Sequence, residues 1–108
     1  MAFLTKNQIE NIVKSALNEV ADFTGDIKIF EFKDFDDLHK INFLTKLNEL
    51  INEESYYDRE GKADDERCYD IALSISLLNS WTTILDCINF VYSNHSVKKR
   101  NLNKLKPL

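Results

Sequence analysis

With 108 residues, 44% of them hydrophobic and 30% charged, the chain holds enough apolar mass for one core and too little for two. Two glycines and one proline exclude an all-β sandwich, which needs turn residues every few positions, and point to helices joined by short loops. The net charge of −4 is unevenly divided: Lys98, Lys99, Arg100, Lys104 and Lys106 face no acid in residues 98–108, so everything before them carries −9, a sign that repels nucleic acid and favours basic partners.

The first element in chain order is a helix over about 5–21. Thr5 followed three residues later by Gln8 is a capping-box pattern, and Ile9, Ile12, Val13, Ala16, Leu17 and Val20 then recur on one helical face. Its end is expected between Asp22 and Gly25. Residues 26–35 alternate loosely over too short a run for a sheet strand, and read as an extended connector that lays Ile29 and Phe32 on the core. A second helix, over about 37–52, opens at Asp34, Asp36 and Asp37, whose carboxylates suit the free amides and positive dipole end of a helix. Ile41, Leu44, Leu47 and Ile51 form its stripe, widened by Leu38, Phe43 and Leu50.

Beyond Asn52 the character changes. Residues 53–67 hold seven acids and three bases around Gly61, without apolar periodicity, and are expected to be an inserted, mobile acidic loop. The segment from Tyr69 to Leu78 fits a strand through Tyr69, Ile71, Leu73, Ile75 and Leu77, and a helix through Ile71, Ile75 and Leu78; periodicity alone does not decide it. A last helix over about 82–94, capped by Ser80 or Thr82, is expected to bury Ile84, Leu85, Ile88, Val91 and Tyr92. Residues 97–108 read as a basic, solvated tail after a domain spanning 1–96. The fold class expected is all-α, a bundle of three to four helices whose core includes Ile12, Leu17, Ile41, Leu44, Leu47, Ile84, Ile88 and Val91.

The order of these parts, and several strings in them, resemble the acyl carrier protein family. Asp36-Asp37-Leu38-His39-Lys40-Ile41-Asn42-Phe43-Leu44 stands where that family has Asp-Ser-Leu and an alternating apolar and acidic run. Thr45-Lys46-Leu47-Asn48-Glu49-Leu50-Ile51 keeps its apolar spacing, Ile71-Ala72-Leu73 sits where it has Ile-x-Ile-Pro, and Trp81-Thr82-Thr83-Ile84 is similar to the Ile-Thr-Thr-Val that opens its last helix. The resemblance covers most of residues 3–95, interrupted at about 53–67. It implies an acidic bundle whose second helix docks partner enzymes carrying a basic patch, with Asp34, Asp36, Asp37, Leu38, Glu49, Glu53 and Glu54 as the partner-binding residues.

The departure falls at Asp37, which stands where the family carries 4′-phosphopantetheine on a Ser. A Ser hydroxyl attacking the pyrophosphate of coenzyme A leaves a stable phosphodiester. A carboxylate would give a labile acyl phosphate, so no prosthetic arm is expected at Asp37 and the chain reads as a pseudo-carrier, a protein-interaction module without catalysis of its own. Two other readings stay open: a genuine carrier whose Ser is aligned elsewhere or has been replaced, and an unrelated acidic inhibitor or immunity-type protein.

No other motif carries chemistry. Two glycines cannot build a phosphate cradle, and no nucleophile elbow occurs. His39 and His95 lack the carboxylate spacing of a metal site or catalytic base and read as surface positions or helix-end charges, so neither catalytic nor metal residues are expected. Tyr56 and Tyr57 read as covering the core edge and Trp81 as a staple or core residue. Cys68 and Cys87 are too few for a disulfide framework and read as reduced thiols. With no apolar run long enough to span a bilayer and no basic and apolar zones of a signal peptide at Met1–Lys6, the expected location is the cytoplasm.

Overall fold

The computed structural model describes residues 3–21 and 30–99. Among the described residues, four α-helices, α1 (Lys6–Ala21), α2 (Asp37–Glu53), α3 (Ile75–Leu78) and α4 (Ile84–Asn94), are joined by a two-stranded sheet of β1 (Arg67–Asp70) and β2 (Ser96–Lys99). The chain is therefore mainly helical, but the all-α expectation is corrected by that sheet.

Helix α1 starts where its capping box directs. The Thr5 amide donates to Gln8 Oε1 at 2.9 Å and the Gln8 amide to Thr5 Oγ1 at 3.2 Å, so two amides without helical partners are satisfied reciprocally. Ile9, Ile12, Val13, Ala16 and Leu17 are its buried side chains, and the helix packs on both α2 and α4. The expected helix end at Asp22–Gly25 and the core position of Ile29 lie outside the described residues.

The connector is not simply extended. Glu31 bridges Thr83, and residues Phe32–Asp34 then close one 3-10 turn. That turn places Phe32 in an aromatic cluster, its ring 5.5 Å from Phe30, 5.5 Å from Phe43 and 5.8 Å from Trp81. Close centroid distances with tilted planes are the favoured arrangement for ring quadrupoles, and the cluster ties the connector to α2 and to the approach to α4.

In α2 the buried side chains are Phe43, Leu44, Leu47 and Ile51. Ile41 is instead 50% exposed and Leu38 64% exposed, against the expectation that both belong to the apolar stripe. The reason is angular. At about 100° per residue, steps of three drift backwards around the helix, so Ile41 stands about 120° and Leu38 about 180° from Leu47, whereas Phe43 and Ile51 flank it closely. The outer flank of the same helix then docks β1 with polar groups: Asn48 Nδ2 donates to the Ile71 carbonyl at 3.1 Å and Asn52 Nδ2 to the Tyr69 carbonyl at 2.7 Å.

The acidic segment after α2 is folded back on itself. Asp58 Oδ1 accepts from the Glu60 and Lys62 amides, the Gly61 amide donates to the Asp58 carbonyl, and Tyr57 bridges Ala63. Gly61 has φ +78°, a left-handed conformation in which a Cβ would be strained. Of the two tyrosines, Tyr56 is buried and packs on Tyr69, while Tyr57 is exposed.

The ambiguous stretch resolves into both of its readings in turn. Residues 67–70 are strand, 71–74 have no regular secondary structure, and Ile75–Leu78 form one helical turn capped by Ser74, whose Oγ accepts from the Leu77 amide at 3.1 Å. Helix α4 begins after Thr83, not at Ser80 or Thr82, because Asp86 Oδ2 reaches back to accept from the Thr82 and Thr83 amides at 2.9 and 3.2 Å. It buries Ile84, Cys87, Ile88 and Val91. Leu85 and Tyr92, expected inside, are 56% and 45% exposed, since both stand about 80–100° from Ile84 while Cys87 lies nearer the centre of the face.

The strands run antiparallel with Arg67 opposite Lys99, Cys68 opposite Lys98, Tyr69 opposite Val97 and Asp70 opposite Ser96. Residues 97–99 are thus strand rather than free tail, with Lys98 and Lys99 still exposed and Lys98 drawn to Asp70 at 3.2 Å. The remaining tail, 100–108, lies outside the described residues.

Candidate functional site

The start of α2 gathers four of the seven residues expected to bind a partner. Asp36 is the N-cap: its Oδ1 accepts from the His39 amide at 2.8 Å and from His39 Nδ1 at 2.7 Å. Those hydrogen bonds, the backbone one first, hold the Asp36 carboxyl below the usual carboxylate range. The His39 ring in turn stacks on Phe35 at 5.5 Å, so the cap is braced against a buried aromatic. Asp37 follows in the first helical turn, exposed, and among the described residues no cation is paired with it. Asp34 is exposed in the turn before, and Leu38 presents its side chain outward beside Ile41. The corner is fastened to the approach to α4, where Lys40 Nζ donates to Asn79 Oδ1 at 2.9 Å and the Phe32 amide to the Thr82 carbonyl at 3.0 Å.

The other three do not join that corner. Along a helix that rises 1.5 Å per residue, Glu49 lies about 18 Å and Glu53 about 24 Å from Asp37. Glu49 is held by Lys46 at 3.3 Å, and the same ammonium reaches Glu19 on α1 at 3.6 Å, so it is part of a helix-to-helix ion network. Glu54 ends the helix, half-buried, with Glu53 exposed beside it. The seven residues therefore form one compact acidic and apolar corner, Asp34, Asp36, Asp37 and Leu38, and a second acidic end.

Two residues that the sequence reading set aside belong to the architecture. His39 completes the Asp36 cap, and the Asp-x-x-His spacing at a helix start was a local signal for it. His95 is no surface residue: it is buried, its Nε2 accepts from the Leu4 amide at 3.0 Å, and its Nδ1 lies 2.8 Å from the Val91 carbonyl. No local pattern links positions 4 and 95. Cys68 and Cys87 are both free and buried, and burial pushes the Cys87 thiol far up.

Chemically, the corner offers carboxylates and apolar side chains but no hydroxyl in Asp36-Asp37-Leu38, so its residues do not fit attachment of 4′-phosphopantetheine through a phosphodiester. Among the described residues no three His, Cys, Asp or Glu side chains are grouped to hold a metal ion, and no helix is long and apolar enough to cross a membrane. No protein-family model matches the chain, and neither a curated protein nor a solved structure is significantly similar to it.

Proposed function

We propose that the chain is an acyl-carrier-like protein-interaction module without a prosthetic arm, which docks a basic protein partner through the start of α2. The observation that carries the reading is the corner itself: Asp37 stands exposed directly after a braced N-cap, with Leu38 and Ile41 turned outward beside it. Exposed apolar side chains rimmed by like charges suit recognition, because carboxylates steer the encounter and apolar anchors lose water once docked. The succession of elements supports the same reading. A long first helix, a second opening at Asp36-Asp37-Leu38, a one-turn helix after Ile71-Ala72-Leu73 and a last helix after Thr82-Thr83 follow the order of the family it resembles.

The test uses an enzyme that recognises carriers through a basic patch. Incubated with coenzyme A and a phosphopantetheinyl transferase, the chain should gain no mass, yet slow modification of a genuine carrier by competition. That competition should weaken with salt and disappear in Asp34→Lys/Asp37→Lys, a pair chosen to leave the Asp36 cap intact. Gain of the arm at any residue would make the chain a true carrier, and absence of competition would remove the docking role from this corner.

A further inference from the structure

At the other end of α4, Phe3, Leu4, Thr5 and Lys6 face Tyr92, Ser93 and His95 across a groove of about 720 Å³, a size common among small-ligand sites. Two of the large apolar side chains left exposed, Phe3 at 50% and Tyr92 at 45%, form its walls. His95 closes the inner wall, edge-on to Phe3 at 5.4 Å. Its ring nitrogens are already committed to Leu4 and Val91, so it shapes the groove without offering a free donor.

Among the described residues one charged side chain lies on this groove. Lys6 Nζ stands 5.2 Å from the centroid of the Tyr92 ring, and among the described residues no acid lines the groove and no carboxylate is paired with Lys6. An apolar trough with a single ammonium and the Ser93 hydroxyl at its rim complements a ligand with an apolar body and one negative end. We propose that this groove binds an apolar-tailed monocarboxylate, of the fatty-acid class, with its carboxylate on Lys6 and its chain between Phe3 and Tyr92.

Charge separates this occupant from the alternatives. A basic peptide would meet Lys6 as a like charge. A second copy of the chain would bring its own −9 body, and an anionic bilayer a sheet of like charges, against the −9 carried before residue 98, whereas a monocarboxylate brings one negative charge and meets it at Lys6. Among the described lining residues one ammonium balances the single charge of a carboxylate but only part of the near-double charge of a phosphate monoester. The inference is independent of the docking role assigned to the start of α2.

The test is a titration with decanoate below its micellar concentration, followed by amide shifts in NMR spectra. Saturable shifts are expected at Phe3, Lys6, Ser93 and Tyr92, and decanol and acetate should each bind more weakly, because each lacks one half of the match. Lys6→Glu should weaken decanoate binding roughly tenfold or more, and Lys6→Arg should retain it. Asp37→Lys should change nothing here. Lys6 and Tyr92 are both exposed, so the variants keep the fold, and the spectra report it directly. Shifts that fail to saturate in the low millimolar range, decanol binding as tightly as decanoate, no effect of Lys6→Glu, or binding only to vesicles of anionic lipid would each overturn the proposal.

Discussion

His95 is where one substitution most directly probes how the chain ends are held together. The Leu4 amide is a donor, so His95 Nε2 must be the acceptor; Nδ1 then carries the proton and donates to the Val91 carbonyl. Replacing His95 with Phe keeps a ring against Phe3 and Tyr69 but removes the acceptor from Leu4, a residue only 2% exposed. The Val91 carbonyl is spared, because it also accepts from the His95 amide at 2.9 Å. The loss therefore concentrates on one buried amide, at about 1–3 kcal/mol. His95→Ala adds the lost ring contacts and should cost about 2–4 kcal/mol, a large share of the roughly 5–15 kcal/mol that stabilises a typical domain. Urea unfolding with linear extrapolation measures both, and hydrogen exchange at the Leu4 amide should quicken in both variants. A His95→Phe protein within about 0.5 kcal/mol of the parent, with Leu4 exchange unchanged, would refute the reasoning.

Three further outcomes are expected. Leu47→Ala should destabilise by about 2–5 kcal/mol, as a fully buried side chain leaving a cavity, whereas Leu38→Ala should stay within about 0.5 kcal/mol; similar losses in unfolding experiments would put Leu38 back in the core. Because the Asp36 carboxyl is held below its ordinary value in the folded chain, its contribution is complete above the unfolded value and is lost as the pH falls through the folded one. The stability gap between the parent and Asp36→Ala should therefore close on acidification below about pH 4, and a gap that widened there in pH-dependent unfolding would contradict the cap assignment. Cys87, buried with its thiol pushed far up, should resist iodoacetamide until urea unfolds the chain, and rapid alkylation of the folded protein, read by peptide mass, would show that the helix face is open.

The start of α2 was legible because its signals are local. A side-chain oxygen two or three residues from a free helical amide is within reach of it whatever the rest of the chain does, and so the Thr5–Gln8 box and the Asp36 cap both form where their spacing placed them. The extents of α1, α2 and α4 followed within a residue or two from the same signals and from apolar periodicity. The side chains chosen for burial were less secure. Spacing of three admits Ile41 and Leu38 to a stripe, but which arc of a helix is covered depends on where its neighbours lie, and α1 and β1 cover the arc centred on Leu47.

What only the tertiary structure decided is everything that joins residues distant in sequence. Ser96–Lys99 has one apolar residue in four and no strand pattern of its own; it is a strand because Arg67–Asp70 lies beside it, held at Tyr69 by the Asn52 amide and just past its end at Ile71 by the Asn48 amide. Of the two assignments that periodicity left open for 69–78, the strand holds only at Tyr69 and Asp70, where sheet pairing claims them, and the helix at Ile75–Leu78, where the Ser74 cap starts one turn. His95 is buried because Leu4, 91 residues earlier, brings it a donor. Local propensity and capping act over a single helical turn and are written in the sequence, whereas strand partners, the buried arc of a helix and the pairing of a buried polar ring are settled by which surfaces meet when the chain packs.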